Sequence, residues 1–269
     1  MSEQSLELNA EFKEVLEEIL FQLADDDFFY SYRNSEWLGL VPHIEEDVAS
    51  SSITQDSMGH AAMFYGLLEE LGYGKADDLA HGRSAQDRKN CILVERVNGP
   101  GHYMDNPQFD WAYAVVRNYF YTLAKKIKMD ALKQCSYEPL AEIAVKVNME
   151  LHYHLLHWKT WFVQLLSTTE EAKTKMNNAI VKVLNDFGDV FSFGEKEEKM
   201  KQLGLVDAEA LKQSWLIAIN KTFETVGLNQ IEEIKQQGTN GRIGFHTAEL
   251  DYAIATLSEV YGSDPATAW

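Results

Sequence analysis

Apolar residues recur every three to four positions along most of this chain, which is the period of helices that each bury one stripe. Phe12, Val15, Leu16, Ile19, Leu20 and Leu23 make the first such stripe, with Asn9 placed as its cap. A second helix is predicted to start near Pro42. It carries Glu45, Glu46 and Asp47 in its first turn, where the helix dipole favours acids, and runs through Met58, Ala62, Phe64 and Leu68 to the stops Gly72 and Gly74. Residues 75–105 break the period. Cys91 to Glu95 reads as a short extended piece and Asn98-Gly99-Pro100-Gly101 as a turn. Asn106-Pro107 is predicted to open a long helix with Phe109, Ala112, Val116, Tyr119, Phe120, Leu123 and Ile127 on one face. Pro139 opens the next, whose stripe is Leu140, Ile143, Val147, Leu151, His154, Trp158, Phe162 and Leu165. Ser167 to Glu170 reads as a capping box before a helix carrying Met176, Ile180, Val183, Leu184 and Phe187. Asp207 caps another with Leu211, Trp215, Ile219, Phe223 and Val226 inside, and a Gly-rich loop from Gly238 to Gly244 leads to a last helix with Leu250, Ile254, Leu257 and Tyr261.

Four long helices and two or three shorter ones, several joined by short loops, predict antiparallel neighbours. The expected fold is all-α: a ferritin-like antiparallel four-helix bundle core with additional C-terminal helices, forming one domain over residues 1–269. Composition narrows what such a bundle would bind. Forty-two acidic residues against 24 basic ones give a formal net charge of −18. A surface of that sign repels nucleic-acid phosphates and anionic membranes, so neither is an expected partner. Two cysteines, Cys91 and Cys135, make neither a disulfide framework nor a zinc set, and with a polar N-terminus they point to the cytoplasm. No apolar run reaches the roughly 20 residues of a bilayer span.

Chemistry concentrates in two acid–histidine pairs, Asp56 with His60 and Glu150 with His154. Residues four apart share a helix face, and two such helices in opposition resemble a di-metal carboxylate bundle. That centre needs Glu-x-x-His on two helices, whereas Gly59 and Tyr153 stand three residues after the acids here. The third long helix adds a second objection. Between Trp111 and Ile127 its only charges are Arg117, Lys125 and Lys126, so it has no bridging carboxylate to offer. A core without metal, its polar groups paired with one another, is therefore the favoured reading. A mononuclear remnant at Asp56, His60, Glu150 and His154 is the alternative. Arg117 has two readings: it pairs with Glu150 or Asp56 and supplies the charge a metal would bring, or it points to solvent. His152 and His157 are expected on the flank of the inner face, His246-Thr247 as a helix start, and Ser50-Ser51-Ser52 as a local bend. No catalytic or cofactor-binding residue is assigned.

Several segments, in order, resemble the C-subunit family of phenylacetyl-CoA epoxidase. They are Ser35 to Gly39, Asp56 to Ala61, Asn90 to Glu95, Asn98-Gly99, Arg117 to Phe120, Glu150 to His154 and Gly244 to Leu250. The likeness runs from about Asp25 to Trp269 and leaves residues 1–24 as an N-terminal helix extension. The resemblance implies a ferritin-like structural subunit that has lost its metal site. Its partner would be the catalytic A-subunit of the epoxidase, which holds a di-iron centre, within a complex that epoxidises the ring of phenylacetyl-CoA. No cofactor is then expected in this chain. Further subunits of the complex, or a second copy of the isolated chain, are the other partners it implies. A metal-dependent oxygenase or oxidase using Asp56, His60, Glu150 and His154 is the competing expectation. A ferritin-like iron store is poor, because the third helix lacks the acids it would need.

Overall fold

A computed structural model describes residues 10–235, 238–264 and 267, so Asn9 lies outside the described residues. Eleven α-helices and three 3₁₀ turns account for the regular structure among them, with no strand beyond the isolated bridge between His102 and Asp105. In chain order the helices are α1 (Ala10–Ser35), α2 (Ile44–Glu70), α3 (Ala76–His81), α4 (Ile92–Glu95), α5 (Trp111–Leu132), α6 (Glu138–Thr168), α7 (Glu170–Asn185), α8 (Glu197–Gln202), α9 (Ala208–Thr225), α10 (Ala248–Leu257) and α11 (Glu259–Ser263).

The core is a ferritin-like bundle of α1, α2, α5 and α6. Side-chain contacts fix its register. Asp27 meets Lys125 while Tyr30 meets Thr122 and Asn34 meets Asn118, so α1 and α5 run antiparallel. Asp56 meets His154 while His60 meets Glu150, so α2 and α6 do too. Short connections close the α1–α2 and α5–α6 hairpins. One long crossover, residues 71–110, joins α2 to α5 and carries α3 and α4, as ferritin-like bundles require. α7 and α9 pack on the far side of α5. No described helix is long and apolar enough to cross a membrane.

Local chemistry sets the helix ends and corrects several sequence expectations. Asn106 has a positive φ of 50°, which no helix tolerates, so the long helix does not begin at Asn106-Pro107. It begins at Trp111, where the Asp110 side chain accepts from the Tyr113 amide. The α7 cap is Thr169, which accepts from the Ala172 amide, rather than a box starting at Ser167. Asp207 caps α9 as expected. Cys91 to Glu95 is not extended: Ile92 to Glu95 form one helical turn, and its apolar side chains are buried. Ala62 lies on the exposed side of α2, whose buried face is Ile53, Ser57, His60, Ala61, Phe64 and Leu68. Residues 10–24 are the first half of core helix α1, with Val15, Leu16, Ile19 and Leu20 inaccessible to solvent.

Candidate functional site

The two acid–histidine pairs do come together, but each histidine bonds the acid of the other helix. His60 Nε2 on α2 donates to Glu150 Oε2 on α6 at 2.6 Å. His154 Nε2 on α6 donates to Asp56 Oδ2 on α2 at 2.9 Å. The two imidazoles lie 6.3 Å apart between the helices. Both rings are buried, while Asp56 and Glu150 keep more than a third of their side chains in solvent.

From α5 a cation reaches the same centre. Lys125 Nζ donates to His60 Nδ1 at 2.7 Å and pairs with Asp27 Oδ1 of α1 at 2.7 Å. Tyr121 adds a hydrogen bond to Asp27. Each core helix thus contributes one or two polar side chains, and the α5 contribution is positive. Burial, followed by the Lys125 charge, holds His60 far below the usual histidine range. Burial also depresses His154, against the opposing pull of Asp56. Both imidazoles are therefore neutral, and the His60 tautomer follows from a donor at Nδ1 and an acceptor at Nε2. Glu150 is shifted upward, first by desolvation and then by the nearby Asp56 carboxylate. Asp27 rises to about 6 because burial outweighs the attraction of Lys125.

Arg117 is in neither of the places its sequence context suggested. It is fully buried, and it donates to the Arg96 carbonyl at 2.9 Å and to Asn98 Oδ1 at 2.6 Å. It therefore ties α5 to the crossover, away from both acids and from solvent. Lys125, one of the three charges between Trp111 and Ile127, holds the place proposed for Arg117. His157 bonds the buried carboxylate of Glu46, which also accepts from Ser50 and Trp161, so one of the first-turn acids of α2 is a core acceptor. His152 is exposed. His246 does more than start a helix: its Nδ1 pairs with Glu95 at 2.7 Å, and its Nε2 donates to the Arg88 carbonyl.

Sequence reading gave no role to Asp25, Asp26 and Asp27, all fully buried in the middle of α1. Asp25 pairs with Arg83 and Arg88, Asp26 with Arg242 and Lys128, and Asp27 with Lys125. The signal was available: three consecutive acids sit between Leu23-Ala24 and Phe28-Phe29, in the middle of an apolar run.

A di-metal centre does not fit these residues. His60 has one ring nitrogen occupied by an ammonium and the other by a carboxylate. The helix that should bring a bridging acid brings Lys125, and its charge would repel a metal cation. Among the described residues, no group of three or more His, Cys, Asp or Glu side chains is placed to hold a metal ion. What the centre can do is bind four helices through charge and hydrogen bonds. It opens outward into a cleft of about 340 Å³ bordered by Ile53, Asp56, Glu150 and Tyr153.

Comparison with known proteins agrees with the motif resemblance. The C-subunit of 1,2-phenylacetyl-CoA epoxidase from Escherichia coli (strain K12) is 28% identical over 250 residues, spanning 92% of this chain and 96% of that protein. The family described as phenylacetic acid catabolic protein matches residues 1–269, including the stretch before Asp25 that the motifs left out. With the match spanning the whole sequence, the chain belongs to the phenylacetic acid catabolic protein family.

Proposed function

We propose that this protein is the non-catalytic structural subunit of a multicomponent di-iron monooxygenase that epoxidises the ring of phenylacetyl-CoA, pairing with a catalytic sister subunit. One observation carries the reading: the Lys125 ammonium sits between Asp27 and His60, at the centre where a di-metal bundle would gather carboxylates. The similarity to the C-subunit of an epoxidase supplies the substrate class and the expectation of a multisubunit assembly. The chain itself holds no cofactor. It stabilises the sister subunit that holds the iron, and Asp56, His60, Glu150 and His154 serve as inter-helix pairs rather than ligands.

Co-expression with the di-iron sister subunit tests this. The two chains should co-purify, phenylacetyl-CoA epoxidation should require both, and this chain purified alone with iron present should carry none above background. Stoichiometric iron in the isolated chain, lost on His154→Ala, would overturn the proposal and establish a metal-dependent oxygenase or oxidase instead.

A further inference from the structure

The outward side of the α2–α6 pair combines two features that a free surface rarely keeps together. The first is an apolar stripe on each helix. On α6, Val145, Met149, Tyr153 and Leu156 follow one another at helical spacing, and on α2 Ile44 and Val48 do the same. All six expose between 47% and 75% of their surface, a grouping that marks an interaction site more often than solitary exposed residues do. The second is the cleft between the stripes. Its wall joins Tyr153 of α6 to Ala49 and Ser52 of α2, and it contains the part-exposed carboxylates of Asp56 and Glu150. Each carboxylate bonds a buried histidine that burial keeps neutral. Lys125 pairs from below with Asp27, and Lys146, one turn before Glu150 on α6, acts on Glu150 from the same helix. Among the described residues, Asp56 has no ion-pair partner other than His154.

We propose that this α2–α6 face is the docking surface for a helix of the catalytic sister subunit, one that lays an apolar stripe on Met149 and Tyr153 and extends an arginine or lysine into the cleft between Asp56 and Glu150. The inference rests on the functional reading above and adds where the partner sits and what it must carry. A helix in an apolar groove, anchored at i, i+3 and i+4, is a common recognition mode, and a guanidinium suits two adjacent carboxylates. Charge argues against a second copy of this chain as the occupant. Two such faces in contact would set Asp56 and Glu150 of one chain against the same acids of the other, and each chain already carries a formal net charge of −18.

The test measures binding of the purified sister subunit to the full chain by calorimetry, across a range of salt concentrations. The Met149→Asp/Tyr153→Asp variant alters only exposed positions, and its unchanged melting curve would show that it still folds. It should lose about 30-fold or more in affinity, the scale of an interface hot spot. Ile217→Asp, exposed on α9, should bind like wild type. Glu150→Gln keeps an acceptor for His60 but removes the charge, so it should weaken binding and flatten its salt dependence. If wild type binds and Met149→Asp/Tyr153→Asp binds equally well, this inference falls while the proposed function stands. If wild type does not bind the sister subunit, both fall. A wild-type homodimer that the same variant splits, with sister binding intact, would assign the face to a second copy and overturn the proposal. A salt dependence unchanged in Glu150→Gln would overturn its cation.

Discussion

The side chains of His60 and His246 are both buried and both held by a glutamate, yet their surroundings drive their proton affinities in opposite directions. His60 has an ammonium at Nδ1, so only one of its nitrogens can carry a proton. Burial and that cation hold it far below the usual histidine range. His246 has acceptors at both nitrogens, Glu95 and the Arg88 carbonyl. Burial opposes its charge, but the hydrogen bond and charge of Glu95 outweigh burial and raise it. The raised group contributes stability that is complete below about pH 6.5 and is lost as pH climbs through its folded value. The depressed His60 does the reverse: its contribution is complete above about pH 6.5 and is lost progressively as pH falls from there toward its folded value. His246→Gln should therefore cost about 1–3 kcal/mol at pH 6, the scale of a charged hydrogen bond, with the penalty shrinking toward pH 9. Chemical denaturation across that range measures it, and a flat penalty would refute the assignment. Proton NMR should show His60 not titrating before acid unfolding. The sequence identified the residues around His60 but not their pairing. Asp56 and His60 share a face, and the spacing suggested that they act as a unit. Their partners are instead set by the antiparallel register of α2 against α6, which no local spacing encodes. Arg117 and Lys125 show the same limit. Both are buried cations of one helix, and which of them faces the centre depends on what surrounds α5.

Amphipathic periodicity was legible on most helices with a solvent side, Ala62 of α2 being misplaced. Most of the α6 stripe appears as read, with Leu140, Val147, Leu151, His154, Trp158 and Phe162 buried and Ile143 and Leu165 half-buried, and α9 buries Leu211, Trp215, Ile219 and Phe223 but ends before the half-buried Val226. It failed for α5, which is covered by α1, α6, α7 and α9 and buries residues all round, so its polar groups had to find partners inside. It also failed in the crossover, where short turns are held by long-range polar contacts rather than by a stripe. The C-terminal segment shows how tight those contacts are. Arg242 is fully buried and forms a two-pronged pair with Asp26, at 2.9 and 2.8 Å. The neighbouring Gly241 amide donates to Asp189 at 2.9 Å. A Cβ on Gly241 would fall 2.0 Å from the Asn90 carbonyl oxygen and 2.8 Å from His246 Cε1. Backbone cannot yield there, so Gly241→Ala should expel the segment and strip the buried Asp26 of its two-pronged Arg242 partner, leaving only the longer Lys128 pair at 3.8 Å. Breaking a buried pair from one side costs about 3–5 kcal/mol. The variant should melt well below wild type and gain a trypsin cut after Arg242, a bond protected in the native fold. An unchanged melting temperature with no new cut would show that the segment tolerates the side chain.

The apolar core is one continuous cluster from Val15 on α1 to Ala253 on α10, and the buried charges of α1 reach across the same span. Asp25 holds the crossover through Arg83 and Arg88, Asp26 the C-terminal segment through Arg242, and Asp27 the third core helix through Lys125. This connectivity makes the first half of α1 part of the body of the molecule, although the motif resemblance begins only at about Asp25. Val15, Leu16, Ile19, Leu20 and Leu23 are almost wholly buried. At about 1.5–3 kcal/mol each, their burial amounts to roughly 7–15 kcal/mol. The net stability of a folded protein is of the same size, about 5–15 kcal/mol. Deleting residues 1–24 should therefore remove the cooperative fold rather than trim an appendage. The truncated chain should keep some helical far-UV dichroism, lose its near-UV tyrosine and tryptophan signals, and bind hydrophobic dyes. A truncated protein with a native near-UV spectrum and a sharp melting transition would show that the bundle closes without that half-helix.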